Sequence, residues 1–157
     1  DGKIGPTKFV LEMAPLEYMP HSVFIFLEMV SNNLLEGCSF ILNALHMIKW
    51  APLPYDGSPP KTRAEQFKKK GLQSVAFQEY SPKFPHTKYT IGFAADGSPS
   101  FYINTEDNSE IHINEPCFAK IVSGFDAIKR LEKSPRRNGI WFEQRIGIKK
   151  AIILPPM

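Results

Sequence analysis

The fold is decided by FQEYSPKFPHTKYTIGFAADGSPSFYINTEDN, residues 77–108, and by EPCFAKIVSGFDAIKRLEK, residues 115–133. Apolar residues alternate over Tyr89–Ala94 and again over Ser100–Thr105, and this alternation predicts two short strands. The five residues between them, ADGSP, favour a turn because they tolerate a positive φ or fix φ at about −65°. This part of the chain therefore predicts a strand, a turn and a second strand.

A third strand is predicted over Cys117–Val122, and it ends at Ser123-Gly124. From Phe125 onward the spacing of apolar residues changes from two to about 3.6, because Phe125, Ile128 and Leu131 fall on one helical face. The third strand is therefore expected to run directly into a helix.

The rest of the chain predicts further short elements. A strand is expected over Lys8–Met13, two short apolar segments over Cys38–Leu42 and Met47–Trp50, a loop over Ala51–Pro60, and a last strand or pair of strands over Trp141–Leu154. A helix is predicted over His21–Asn32; it is apolar on almost every side and should be buried on more than one, as a core helix rather than a partner-binding helix. Residues 61–72 could form a further short helix that ends at Gly71.

The chain has 157 residues, which fits one domain with a substantial core. We expect residues 1–7 to be a linker and residues 8–157 to form the domain. Many short strands with two helices favour a mostly β fold, a closed antiparallel β-barrel capped at its ends.

Charge and apolar runs limit the possible partners. The net charge of +3 is mild and the basic residues are scattered, so no nucleic-acid partner is expected. One cluster, Lys61, Arg63 and residues 68–70, is expected to be a solvated helix face rather than a patch that binds phosphate or an anionic surface. The longest apolar run, Val23–Leu27, is too short to span a membrane. The chain begins at Asp1, so we expect a processed form or a fragment of a longer or membrane-anchored chain, which favours a secreted or lumenal protein.

No cofactor or metal is expected from the motifs. The four histidines lack metal-ligand spacing, and the chain contains no nucleophile elbow, P-loop or dinucleotide fingerprint. His112 lies in an acidic loop, residues 105–115, which we interpret as a solvated loop rather than a cation site or an acid/base pair. Cys38 and Cys117 could be two buried thiols or one disulfide, and their sequence positions do not decide between these.

Several segments resemble the cyclophilin-type prolyl isomerases over about residues 9–154. Pro99–Thr105, PSFYINT, is similar to the family's S-Q-F-F-I-x-T, and Cys117–Ile128, CFAKIVSGFDAI, is similar to its V-F-G-K-V-x-x-G-x-x-x-V. Weaker matches lie at Pro20, at Phe40 and from Phe77 to His86-Thr87. Cyclophilins begin with two paired strands before the first helix, whereas this chain has room for one. The resemblance therefore implies a cyclophilin-type barrel whose first strand is missing or which is closed differently, and an open edge would be liable to pair with another chain.

The resemblance implies a site for prolyl isomerisation, which faces a barrier of about 18–20 kcal/mol. In the family an arginine hydrogen-bonds towards the prolyl nitrogen, and an apolar pocket holds the proline ring. The matching positions have lost most of this equipment: Leu42 replaces the arginine, Met47 the pocket phenylalanine, Trp50 a glutamine, Ala95 the asparagine after Phe93-Ala94, and Ser100 a second glutamine. The pocket aromatic falls at Tyr102, the tryptophan near Glu110 and the histidine near Glu115. We therefore expect no catalytic residues.

What remains is expected to be an apolar groove. Its members are the candidate binding residues Leu42, Met47, Trp50, Phe93, Ala94, Ser100, Tyr102, Ile111, His112 and Glu115. The leading hypothesis is a catalytically degenerate module that binds a peptide or a partner protein there. Three alternatives stay open: the side chains collapse inward to fill the vacant pocket; the chain is an enzyme, with residual isomerase activity or a new reaction at the acidic loop; or it is a structural domain of a longer chain.

Overall fold

The computed structural model describes residues 5–75 and 78–155. These residues form eight strands and three helices. The strands are β1 Val10–Met13, β2 Cys38–Asn43, β3 Met47–Pro54, β4 Thr90–Phe93, β5 Phe101–Asn104, β6 Cys117–Ser123, β7 Arg136–Arg137 and β8 Trp141–Gly147. The helices are α1 Pro20–Ser31, α2 Pro60–Lys69 and α3 Phe125–Glu132.

The strand–turn–strand unit and the strand-to-helix junction predicted from residues 89–132 are confirmed as β4, β5, β6 and α3. Two expectations were wrong in detail. β3 continues to Pro54 instead of giving way to a loop at Ala51. The domain has three helices rather than two, because Pro60 begins α2 and Gly71, at φ +71°, ends it. Phe77, where the deciding stretch begins, lies outside the described residues.

All eight strands belong to one antiparallel sheet, in the order β1-β6-β4-β5-β3-β2-β8-β7. The expected closed barrel is only partly present, because within the described residues no pairing joins β1 to β8 or β7. β1 pairs with β6 along one edge only, and it is the single described strand before α1. The sheet therefore ends at β1 with an unpaired backbone edge.

The core lies on the inner face of the sheet. One row of cross-strand partners there is aromatic: Phe40 pairs with Trp50, Trp50 with Phe101, and Phe101 with Phe93. Trp50 and Phe101 stack with ring centroids 4.7 Å apart. Side chains one residue away along a strand point to the opposite face, so a second row of residues is placed outside.

Helix α1 closes the core from one side. It buries Val23, Phe26, Met29 and Val30, and Phe26 meets the ring of Phe118 at 4.9 Å between centroids, which makes α1 a core helix. Its burial is narrower than predicted, since Phe24 is 60% exposed. Within the described residues, no helix combines the length and apolar character that crossing a membrane would need.

Both cysteines are free thiols, so of the two alternatives from the sequence the structure has the pair of buried thiols. Cys38 is part of the core cluster, and burial raises the pKa of its thiol to about 11. Burial also raises the pKa of Cys117 to about 12. Both side chains are therefore protonated at neutral pH and serve as small apolar groups.

Candidate functional site

The candidate site lies on the outer face of the sheet, on the row next to the aromatic core row. Leu42 of β2 pairs with Lys49 of β3, Lys49 with Tyr102 of β5, and Tyr102 with Gly92 of β4. Leu42 also pairs with Trp141 of β8. Cross-strand partners share a face, so this row brings together Leu42 and Tyr102, which the resemblance matches to the arginine and the pocket aromatic.

The ten candidate groove residues do not share one exposed surface. Trp50 and Phe93 belong to the inner aromatic row and are fully buried, because the two-residue period of a strand places them on the core face. Leu42, Ser100 and Tyr102 are also buried, whereas Ile111 is 67% exposed. For the buried members, inward packing describes the side chains better than an open aromatic groove does. Met47, Ala94 and Glu115 are half-buried, and His112 is buried.

A buried polar network covers the outer face beside Tyr102. Asn104 is fully buried, and its side-chain nitrogen donates to His86 Nδ1 and to Thr90 Oγ1, each at 3.0 Å. Its side-chain oxygen accepts from Asn108 Nδ2 and from His112 Nδ1, each at 2.9 Å. All four hydrogen-bonding positions of the Asn104 amide are therefore used.

These bonds fix the protonation of both histidines. His86 Nδ1 accepts from the Asn104 amide, so the ring proton is on Nε2, which donates to the Glu115 carbonyl at 2.8 Å. His112 Nδ1 must carry a proton, because it faces the Asn104 oxygen. The two imidazoles are thus held as neutral rings of opposite tautomer.

Burial makes it costly to charge this cluster. It lowers the pKa of His86, and it lowers the pKa of His112 to about 4, with the charges of His86 and His46 acting in the same direction. The rings lie close together: the centroids of His86 and His112 are 5.4 Å apart, and those of His46 and His112 are 5.7 Å apart. An acid/base pair between His112 and a carboxylate of the acidic loop is not seen among the hydrogen bonds of the described residues. The His112 Nδ1 bonds instead to the Asn104 side-chain oxygen.

Tyr102 contacts the two histidines of the polar network on one side and lies near Glu115 on the other. Its hydroxyl is buried and has no hydrogen-bond partner within the described residues. Burial raises the pKa of Tyr102, and the charge of Glu115 adds to this, although the two groups fall outside hydrogen-bond geometry. Burial likewise raises the pKa of Glu115, with the Asp96 charge acting the same way.

Lys49 is the functional candidate that sequence reasoning missed. It lies directly opposite both Leu42 and Tyr102, and its Nζ is 3.4 Å from Asp96 Oδ2. Burial of Asp96 is outweighed by hydrogen bonds from Ser98 and by the Lys49 charge, so the pKa of Asp96 is lowered. The signal available in the sequence was the two-residue period of β3, which puts Lys49 on the same face as Met47. Only the β2–β3 register shows that Lys49 is the residue opposite Leu42.

An exposed apolar surface borders the network, and we call it the rim surface: Leu45, Met47, Ile111 and Ile113. Leu45 is 62% and Ile113 53% exposed. The two segments that carry these residues are joined by hydrogen bonds, from Thr105 Oγ1 to the Leu45 carbonyl at 2.7 Å and from Asn108 Nδ2 to the His46 carbonyl at 2.8 Å. The rim surface therefore has a rigid base.

Gly92 is required for this arrangement. A Cβ at this position would lie 2.6 Å from His86 Cε1 and 2.8 Å from both the Pro116 carbonyl oxygen and the Tyr102 hydroxyl. We expect Gly92→Ala to lower the free energy of unfolding by about 2 kcal/mol, because the histidine and tyrosine rings cannot retreat in a packed site. Urea unfolding measures this. Gly57→Ala gives the cost of an added Cβ at a positive φ without crowding, since nothing lies within 4 Å of a Cβ there, whereas Gly92 is not among the glycines with a positive φ. A loss below about 0.5 kcal/mol for Gly92→Ala would show that crowding at Gly92 is unimportant.

No group of three or more histidine, cysteine or acidic side chains within the described residues is arranged to hold a metal ion. The groups that line the site are one lysine paired with one aspartate, a buried tyrosine and an apolar rim.

Comparison with known proteins gives a family and a fold. Residues 5–153 match the family model for cyclophilin type peptidyl-prolyl cis-trans isomerase/CLD. No curated protein matches the chain significantly. Among solved structures, the fold is similar to a cyclophilin type peptidyl-prolyl cis-trans isomerase of Cryptosporidium parvum, with TM-score 0.70 and 16% identity over 93% of this chain and 91% of that one. A structure of that protein in the presence of the dipeptide Ala-Pro gives TM-score 0.63 and 14% identity over 88% and 90% of the two chains.

Proposed function

The chain belongs to the cyclophilin-type peptidyl-prolyl isomerase family, and we propose that within it this protein is a non-catalytic module that binds an extended peptide or a segment of a partner protein. The observation that carries the proposal is Leu42. It takes the position of the family's arginine, it is only 8% exposed, and a leucine side chain cannot donate a hydrogen bond towards a prolyl nitrogen.

The polar groups beside Tyr102 support the same conclusion. Asn104, His86 and His112 bond to one another or to backbone carbonyls rather than towards solvent. A donor that stabilises a transition state must point at the position where the charge develops. These groups instead hold the 105–115 loop against the sheet, so their role is structural.

The rim surface is the part of the old site that a ligand could contact. Ile111 is 67% exposed and Leu45 62%, and burying one such side chain fully is worth about 1.5–3 kcal/mol. Apolar side chains on a rigid base favour an apolar, extended ligand. The residues of the rim surface are already held in place, so they lose little conformational entropy on binding. Trp50 and Phe93, by contrast, would have to leave the core to contact a ligand.

We expect a proline-containing peptide titrated into the protein to shift the NMR signals of Leu45, Met47 and Ile111. Exchange spectra of the peptide should show no acceleration of cis–trans exchange. Ile111→Ser should weaken binding about tenfold, since it removes most of one apolar contact. Ile153→Ser is the matched control, because Ile153 is 51% exposed but lies beyond β8.

Two outcomes would contradict the proposal. Accelerated exchange would show that catalysis persists without the arginine. Equal weakening by Ile111→Ser and Ile153→Ser, or the absence of any shift at the rim surface, would show that the rim surface is not the binding site.

Residual isomerase activity is a second candidate, and the position of Lys49 is the observation that favours it. Lys49 is the cross-strand partner of Leu42 on the same face, and its side chain is 24% exposed. If Lys49 supplied the missing charge, exchange would be accelerated in the wild type and this acceleration would be lost in Lys49→Met. It would persist in Lys120→Met, whose target residue also forms a surface ion pair, 3.7 Å from Glu12, but on β6.

A further inference from the structure

Two segments of the chain carry an excess of basic residues. Residues 61–70, KTRAEQFKKK, contain five basic and one acidic residue and so carry +4. A second surface field that attracts anions has its source at α3 and β7, because residues 125–137, FDAIKRLEKSPRR, contain five basic and two acidic residues and so carry +3.

The same segment lines an open cleft. Two adjoining hollows, of about 430 and about 570 Å³, share Lys133, Ser134 and Pro135 as a common wall. Arg136 and Glu132 line the first hollow. The second is lined by Lys129, Arg130 and Asp126. All five basic side chains of the segment are exposed, including Arg137 beside the cleft.

The basic side chains of this cleft have no acidic partners. The ion pairs among the described residues are Lys49–Asp96, Lys61–Glu65 and Lys120–Glu12, so none involves the cleft. Arg136 Nη1 donates instead to the Gly139 carbonyl at 3.2 Å and to the Asn43 carbonyl at 3.4 Å, and Arg130 Nη1 donates to the Pro6 carbonyl at 3.1 Å. These bonds orient each guanidinium and leave its other N–H groups for a ligand.

The two acidic residues of the segment only partly offset this charge. Glu132 accepts a hydrogen bond from the Tyr89 hydroxyl at 3.1 Å, and Asp126 lies in the first turn of α3, at the positive end of the helix dipole. Lys129 and Arg130 lie in the last turn of α3, where basic side chains stabilise the helix because they face the negative end of its dipole. Arg136 follows the helix on β7, where its guanidinium donates to the Asn43 and Gly139 carbonyls. Arg137, also on β7, has no side-chain hydrogen bond among the described residues.

We propose that the cleft between α3 and β7 binds phosphoryl groups carried by a phosphorylated peptide segment. Paired cations, one a fixed guanidinium, match the charge and the several acceptor oxygens of a phosphate. A phosphopeptide is favoured over nucleic acid because the basic side chains that line the cleft come from one short segment, residues 129–136, whereas a polynucleotide needs a continuous basic track. The residues that line this cleft are different from those of the rim surface, and the proposal does not depend on the function proposed above.

The test is fluorescence anisotropy with a labelled ten-residue peptide that carries two phosphoserines, against the same peptide with serine at both positions. We expect binding only of the phosphorylated form, weakened by added salt. Lys133→Gln combined with Arg136→Gln should weaken it about tenfold or more, because two charge-assisted contacts are lost. A second variant, Lys133→Gln combined with Arg137→Gln, leaves the Arg136 hydrogen bond to the Gly139 carbonyl intact. Weaker binding in this variant therefore cannot result from a fold disturbed by the loss of that bond.

Lys68→Gln combined with Lys69→Gln on α2 is the matched control, since it removes the same charge from a second basic cluster. It should weaken binding less than about twofold. Equal weakening by the α2 and cleft variants would overturn the proposal in favour of non-specific attraction. Tighter binding of a single-stranded oligonucleotide or of anionic lipid vesicles than of the phosphopeptide would overturn the choice of ligand, and indifference to phosphorylation would overturn the site.

Discussion

Asn104→Ala is expected to lower the free energy of unfolding by about 4 kcal/mol, because two buried groups lose their partners and each costs roughly 1–3 kcal/mol. The two groups are the Nδ1 acceptor of His86 and the Nδ1–H donor of His112, which among the described residues bond only to the Asn104 amide at these atoms. Thr90 and Asn108 keep other partners, the carbonyls of Thr87 and His46.

Urea unfolding at pH 7 measures this loss. Asn32→Ala is the matched control: it removes the same side chain, but one that donates a single hydrogen bond, to the Glu28 carbonyl at the end of α1. The control should cost about 1 kcal/mol. If Asn104→Ala cost no more than Asn32→Ala, the network would not be what holds the 105–115 loop on the sheet.

Acidification is expected to destabilise the protein between pH 6.5 and pH 4 through His112. The pKa of His112 is lowered from 6.5 to about 4, chiefly by burial. Above pH 6.5 the imidazole is neutral in both states. As the pH falls below 6.5, His112 binds a proton in the unfolded chain but stays neutral in the folded chain. Stability is therefore lost until the pH reaches the pKa of His112 in the folded protein. The difference amounts to about 3 kcal/mol at 1.36 kcal/mol per pKa unit, and the lowered pKa of His86 acts in the same direction.

Two variants separate the groups that face this site, and they should move the pH slope in opposite directions. His112→Gln removes the lowered pKa, so its stability should fall less between pH 6.5 and pH 4. Glu115→Gln removes a carboxyl whose pKa is raised by burial. Such a carboxyl stabilises the folded protein as the pH falls through its pKa, so without it the loss of stability on acidification should become steeper. Urea unfolding at half-unit pH steps measures both slopes. Unchanged slopes in both variants would contradict the assignment.

Local pattern was sufficient for most of the elements. The two-residue alternation predicted β4, β5 and β6, and the change of spacing at Gly124 predicted the start of α3. Gly124 has φ +84°, and a Cβ there would lie 2.2 Å from the Lys8 carbonyl oxygen, so the glycine that marks the junction in the sequence is also required by the packing. The family resemblance, read from the same residues, is confirmed by the family model.

The candidate site was predicted less well, because matching positions to a family does not say which face of a strand they occupy. Trp50 and Phe93 were placed in a groove, but their register puts them in the core row with Phe101. Lys49 was overlooked, although it lies opposite both Leu42 and Tyr102. A bulge between Phe40 and Leu42 shifts the register of β2, and sequence spacing does not reveal such a shift.

The sequence by itself determined where most strands and helices form, because turns, alternation and helical spacing are local properties of the chain. Only the tertiary structure decided which side chains share a site. Asn104 meets His86 across 18 residues, and Glu79 accepts hydrogen bonds from the first amides of α1 across 58 and 57 residues. Such partners are chosen by burial: a polar group that leaves water takes whichever partner the folded chain brings within reach, however distant it is in sequence.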